Sequence, residues 1–461
     1  MLAHAKIQRP MLSCAKDAHM PSNAPLAQRL ARQRLTRRDV LWFFSAAALS
    51  GCAQSPVGGK SILVGMSEAQ EKAVDQQVAP QQFSTDLGPI QDSQVNTYVS
   101  SVGQRMDKLT HRPNMPYSYR VLNANYVNAY TFPGGAMGIT RGILVELQDE
   151  AELAALLGHE MGHVNARHAA QRQGQSMVAS VAMAGVGIAA SSSEWGGLVA
   201  IGGQLGASLL LSGYSRDNER EADALGQEYM VRAGYPASGM TRLHELLVRQ
   251  QKEQPGMLQT MFSTHPMSVE RRDTAQQLAS TQYAASLKRD PGRQRFMDST
   301  ASLRRIKPTI EACQNGEVAM ASKAYDKAEG QFRSALQKTP RDYASNLLMG
   351  QCLEAQGKSR EALAYANTAK QIYPQEAQAH KLAGALALGL KDPAAAYASL
   401  DQYDRMLPGD AGVGFLKGVA LEGMGKRQEA ARQYAGYLNQ QRQGKAAEYA
   451  YSRLRGWGYV K

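Results

Sequence analysis

Two histidines four residues apart, with a glutamate after the first, stand at His159-Glu160-Met161-Gly162-His163. Residues at that spacing share one face of a helix, so both imidazoles can point at a single ion. Zinc takes nitrogen donors at about 2.0–2.1 Å in tetrahedral geometry. Glu160 projects beside that point, where a carboxylate can take a proton from water activated by the metal. A catalytic zinc needs a third protein ligand and one open position. Downstream, Ser215-Arg216-Asp217-Asn218-Glu219-Arg220-Glu221-Ala222-Asp223 sets Glu219 and Asp223 at the same four-residue spacing. Glu219 is the candidate third ligand. Asp223 is the candidate acceptor for a ligand imidazole's second N–H, which would fix its tautomer. Glu221 falls elsewhere on the helix and reads as a surface charge. His168, five residues after His163, falls off the ligand face and reads as structural, as do His111, His244 and His380.

The element carrying the pair must be a helix. Asp149 is a plausible N-cap, Glu152 completes a capping box, and Leu153, Leu156 and Leu157 form an apolar face at helical spacing. Upstream, Val127 to Gly135, followed by Gly138-Ile139-Thr140, reads as a strand with a Pro133-Gly134-Gly135 turn.

The N-terminus reads as an address. A basic stretch ending at Arg37-Arg38 precedes an apolar run, Val40 to Leu49, too short for the roughly 20 residues a membrane span needs. The arginine pair is similar to a twin-arginine export signal, with the ordinary secretory route open. Leu49-Ser50-Gly51-Cys52 resembles a bacterial lipobox, which implies cleavage before Cys52 and its acylation. Ala53 after the cysteine implies the outer membrane. Two further apolar runs, Met177–Ala190 and Gly197–Leu211, are also short, and read as packed helices.

A period of 34 residues runs through the C-terminal part. It is kept by Gly316, Gly350, Gly384 and Gly418, by Ala328, Ala362, Ala396 and Ala430, and by Pro340, Pro374 and Pro408. The position four after each alanine holds Phe332, Ala366, Leu400 and Tyr434. This is the signature of tetratricopeptide repeats, helix–turn–helix units that stack into a solenoid and bind peptides or protein surfaces.

The two metal-site segments together resemble metallopeptidase family 48, the HtpX and Oma-type gluzincins. The resemblance implies a zinc-dependent endopeptidase with one Zn2+ per subunit. It implies that Asn128, Ala129, Pro133 and Gly134 belong to an edge strand that pairs with extended substrate. Members that join this protease to tetratricopeptide repeats in the periplasm imply more. Their substrates are misfolded or stalled outer-membrane proteins, and their repeats engage the outer-membrane assembly machinery. In them a histidine from a downstream loop can fill the open zinc position, which points to His265 in Ser263-Thr264-His265-Pro266.

The expected fold is mainly α. An export signal (1–51) and a tether (52–66) precede an α+β protease domain with a short sheet (67–285). A charged linker (286–305) then leads to an all-α repeat solenoid (306–461). The net charge of +12 does not argue for nucleic acid, because residues 1–51 carry eight Lys or Arg against two Asp, hence +6 of it. The rival reading is a chaperone or assembly scaffold, bound to envelope proteins through the repeats, with proteolysis dormant or secondary. Cys313 and Cys352 either pair or stay as core thiols.

Overall fold

The computed structural model of the 461-residue chain describes residues 52–176, 213–253, 259–266 and 268–460. The segment before Cys52 that reads as an export leader and the two apolar runs within 177–212 lie outside the described residues. Among those described, no helix is long and apolar enough to cross a membrane.

The half of the chain before the repeats is built around one helix, Glu150–Asn165, every residue of which is buried. A helix buried on every side lies at the centre of its domain. Asp149 caps it by accepting the N–H of Glu152 at 2.9 Å. The Glu152 side chain accepts from Gln148 N at 2.6 Å, one residue before the cap, so the expected capping box is displaced by one position. A second helix, Arg216–Arg232, lies against the first, and small residues set the distance. A Cβ added to Gly158 would meet Gly226 O at 2.8 Å, and one on Gly162 would meet Ala222 O at 2.6 Å.

A three-stranded sheet covers another side. Ser118–Leu122 pairs in parallel with the central strand Ala136–Thr140, and Ala129–Thr131 pairs with it antiparallel. Ala129–Thr131 is thus an edge strand. The turn after it is held from helix Glu68–Thr85, where Asp75 accepts the N–H groups of Gly134 at 2.7 Å and Ala136 at 2.8 Å. Burial pushes the Asp75 carboxyl up to about 6 against those two bonds.

Two segments differ from the sequence reading. Residues 52–66 are not a bare tether. Ser61–Leu63 is a strand, Gly65 donates to Ala170 O at 2.7 Å, and Met66 is buried against Ala169 and Ala170. Residues 286–305 are not an extended linker either. After a turn at left-handed Gly292 they form helices Arg293–Ser299 and Ala301–Arg305, with Phe296 and Leu303 in the core around the central helix. Arg295 reaches Glu150 at 2.5 and 2.8 Å, at the start of the central helix.

The repeats begin at helix Lys307–Ala321 and alternate through Arg427–Gln440, closed by Lys445–Gly456. The glycines at the 34-residue period seat the larger side chain of the paired helix. A Cβ on Gly316 would strike the Phe332 ring, one on Gly384 would meet Leu400 at 2.6 Å, and one on Gly418 would meet Tyr434 at 2.7 Å. Cys313 and Cys352 are buried and unbridged, so no disulfide joins them.

Candidate metal centre

His159 and His163 emerge from the last turns of the central helix, and Glu219 and Asp223 from the facing helix. The small-residue contact between the helices lets these side chains meet. His159 Nε2 and His163 Nε2 lie 3.1 Å apart. Glu219 Oε1 is 3.3 Å from His163 Nε2, and its Oε2 is 3.6 Å from His159 Nε2. His265 joins them from the loop after helix Gln259–Thr264. Its Nδ1 is 3.3 Å from His159 Nε2 and 3.2 Å from Glu219 Oε1.

His159, His163, Glu219 and His265 are all buried, and one donor atom from each lies within 4.8 Å of every other. A tetrahedral site with ligands near 2.05 Å has donor–donor edges of about 3.3–3.4 Å. Four of the six donor pairs, at 3.1–3.3 Å, are close to that edge length. The donor chemistry fits as well. Asp223 Oδ1 sits 2.9 Å from His159 Nδ1 and as a carboxylate can only accept, so Nδ1 carries the proton and Nε2 offers its lone pair inward. The residues present therefore fit a single divalent metal.

Charge in the pocket is balanced. Burial alone would raise the Asp223 carboxyl, but His244 and Arg271 beside it hold it well below the usual carboxylate range. Arg271 bonds both Asp223 oxygens at 2.6 and 2.7 Å, lies 2.7 Å from Glu219 Oε2, and donates to the Pro266 carbonyl at 2.9 Å. It thereby ties the loop carrying His265 to both acidic residues. Glu219 is likewise raised by burial, yet His265 and His163 beside it bring it well below its ordinary value. Burial lowers the His163 imidazole well below 6.5. Burial pulls His265 down too, but Glu219 and Glu160 outweigh it and raise that ring.

Glu160 is buried, with Oε2 lacking any hydrogen-bond partner among the described residues, and burial raises its carboxyl above 4.5. Its Oε1 stands 3.8 Å from His265 Nε2. An unpartnered buried carboxyl oxygen beside a metal-type cage is placed to exchange protons with a reactant.

The structure thus brings together every residue that the sequence singled out for the site itself. Ala129 begins the edge strand and Asn128 precedes it, buried, with Oδ1 lacking a hydrogen-bond partner among the described residues. Pro133 lines a small cavity with Thr131, Phe132, His163, Arg167 and Tyr214, and Gly134 follows it in the turn. Cys52 is exposed. Sequence reasoning missed four neighbours. Tyr214 stacks on the His163 ring, centroids 3.9 Å apart. His244 Nε2 stands 3.4 Å from Asp223, and Arg271 anchors the acids. His168, read as structural, lies against His163, with their Nδ1 atoms 2.8 Å apart. Single aromatic, basic and histidine residues carry no spacing signal. Only the three-dimensional path of the chain assembles them.

Residues 93–279 match Peptidase family M48, and residues 319–386 match a tetratricopeptide repeat. The chain is 26% identical over 230 residues to the beta-barrel assembly-enhancing protease of Yersinia pestis, covering 47% of this chain and 46% of that protein. It is 27% identical over 248 residues to the metalloprotease YcaL of Escherichia coli, covering 49% of this chain and 91% of that one. It is 32% identical over 178 residues to the mitochondrial metalloendopeptidase OMA1 of Schizosaccharomyces pombe, covering 38% and 50% respectively. The chain spans about half the length of the beta-barrel assembly-enhancing proteases it matches.

Proposed function

We propose, from an M48 peptidase domain joined to tetratricopeptide repeats, that this chain is a zinc-dependent endopeptidase of the cell envelope. The observation that carries the reading is the buried four-donor cage with Glu160 beside it. Imidazole and carboxylate donors in a tetrahedral array suit zinc. A metal held by His159, His163 and Glu219 would supply Lewis acidity for peptide-bond hydrolysis. Asp223 orients His159, and Arg271 orients Asp223. Glu160 accepts a proton from the attacking water at its free oxygen and returns it to the leaving amine. Positioned proton transfer of this kind contributes roughly 10²–10⁴-fold. The Glu160→Gln protein is expected to keep its metal and lose at least about 100-fold in casein cleavage. Full cleavage by that variant refutes the assignment.

His265 occupies the fourth donor position, so the arrangement described is the closed state of the site. Substrate enters when His265 withdraws, and an extended peptide then lies along Ala129–Thr131.

The relatives' names support outer-membrane β-barrel proteins as substrates or clients, with the repeats engaging their assembly machinery. The leader and the lipobox support export and anchoring to the outer membrane through Cys52. Lipid labelling of the wild type that persists in Cys52→Ser would remove the anchor from this account.

A second reading is a scaffold that binds envelope proteins through its repeats while proteolysis lies dormant. The filled fourth position favours it. Full rescue of a deletion strain by Glu160→Gln supports the scaffold, and failure of rescue supports the protease.

A further inference from the structure

The central helix ends at Asn165, and the chain then turns sharply. Arg167 has φ +60°, a left-handed conformation that costs a non-glycine residue about 1–2 kcal/mol. Two bonds hold it there, from Nε to Glu71 Oε1 at 2.9 Å and from Nη2 to Met66 O at 2.8 Å. The turn carries His168 back over the helix end. It becomes fully buried, with Nδ1 at 2.8 Å from His163 Nδ1 and Nε2 at 3.1 Å from Glu221 Oε2. The Glu221 side chain is 43% exposed.

With His168 as a neutral imidazole, the hydrogen bonds in this line run in one direction. A carboxylate accepts, so the His168 proton sits on Nε2, facing Glu221. His168 Nδ1 is then the acceptor, and His163 Nδ1 must be the donor. His163 Nε2 is left without a proton, and it is the atom that faces the cage. Tyr214 stacked on the His163 ring fixes the plane of that ring but does not choose between its two nitrogens. We propose that His168 and Glu221 are positioning residues for the metal centre. His168 holds His163 as the tautomer that ligates through Nε2, and Glu221 acts only through His168. The two imidazoles of the central helix are thus oriented by different devices: Asp223 directly for His159, and a histidine with a half-exposed glutamate for His163. This inference rests on the reading that the cage holds zinc.

The test uses the full chain as wild type, Glu221→Ala, His168→Phe and the double variant. Zinc dissociation is read by chelator competition. Protonation of the His163 ring is read from long-range ¹H–¹⁵N spectra of the metal-free protein. Loss of a residue that orients a metal ligand typically costs 10–100-fold in metal affinity. That loss is expected for each single variant, with the double variant no worse than His168→Phe alone. The wild-type spectrum should show the proton on Nδ1 of His163, with Nε2-protonated ring appearing in His168→Phe. Glu221 lies at the surface, so its variant tests the idea even where His168→Phe does not fold. Wild-type zinc affinity in Glu221→Ala, or effects that add fully in the double variant, would overturn the proposal. A wild-type chain that takes up no zinc would instead sink the metal reading, and the ring spectra would still decide the tautomer.

Discussion

Glu160 Oε1 and His265 Nε2 stand 3.8 Å apart, so the loop histidine lies against the candidate base. His265 is the cage member on a loop, whereas the other three sit on helices packed in the core. Replacing it should open the site with little effect on the fold. The His265→Ala protein is expected to cleave casein several-fold faster and to release zinc faster, since one donor of four is gone. Unchanged or slower cleavage would count against the closed-state reading. At this scale the sequence was legible where chemistry coincides with helical spacing. His159 and His163 recur at four residues, as do Glu219 and Asp223, so each pair announces a shared face. His265 has no such partner and emerged only through family resemblance. His168 is outside the four donors, as its five-residue spacing implied, but its contact with His163 was not legible, because nothing in the sequence marks Arg167 as the residue that breaks the helix.

The metal ligands meet because two helices approach closely. Gly162 lies inside the His-Glu-Met-Gly-His motif but serves the neighbour, since its missing Cβ leaves room for the Ala222 carbonyl. Gly162→Ala forces backbone against backbone, an overpacking that costs about 1–3 kcal/mol. It also pushes Glu219 and Asp223 away from the histidines. Thermal unfolding should move down and zinc occupancy should fall together; a variant with wild-type values for both would show that the contact has slack. The repeat helices were legible in full detail because eleven positions keep one period, and the glycines proved to seat Phe332, Leu400 and Tyr434. Helices Arg293–Ser299 and Ala301–Arg305 were not, because segments of seven and five residues are too short to display a helical period. The Asp290-Pro291-Gly292 turn signal was correct, but what followed it was core rather than linker.

The repeat domain is fixed on the peptidase domain by buried polar contacts. Arg141 pairs with Asp342 at 2.6 Å, both nearly without solvent exposure, and Asn125 supports the same guanidinium. Gln314 and Glu317 reach Asn125, and Ser84 donates to Glu376 at 2.5 Å. Removing one partner of a buried pair costs about 3–5 kcal/mol. Arg141→Ala should therefore lower the thermal unfolding midpoint, and an unchanged midpoint would show that the contact is dispensable. Burial pushes the Glu317 carboxyl up to about 7, above its ordinary 4.5. The folded protein binds that proton more tightly than the unfolded chain does. The associated stability is therefore present below pH 4.5 and is lost as the pH rises through 7. Glu317→Gln should match wild type in stability near pH 4.5 and exceed it by about 1–2 kcal/mol at pH 8. An advantage that does not grow with pH would contradict this origin. None of these contacts was legible in the sequence, since single polar residues far apart along the chain carry no mutual pattern.

Metal content measured on purified wild type, Glu160→Gln, His159→Ala and Glu219→Ala tests the account most directly. The structure predicts one divalent ion per chain in the first two and almost none in the last two. Equal metal in all four proteins, or none in any, would contradict it.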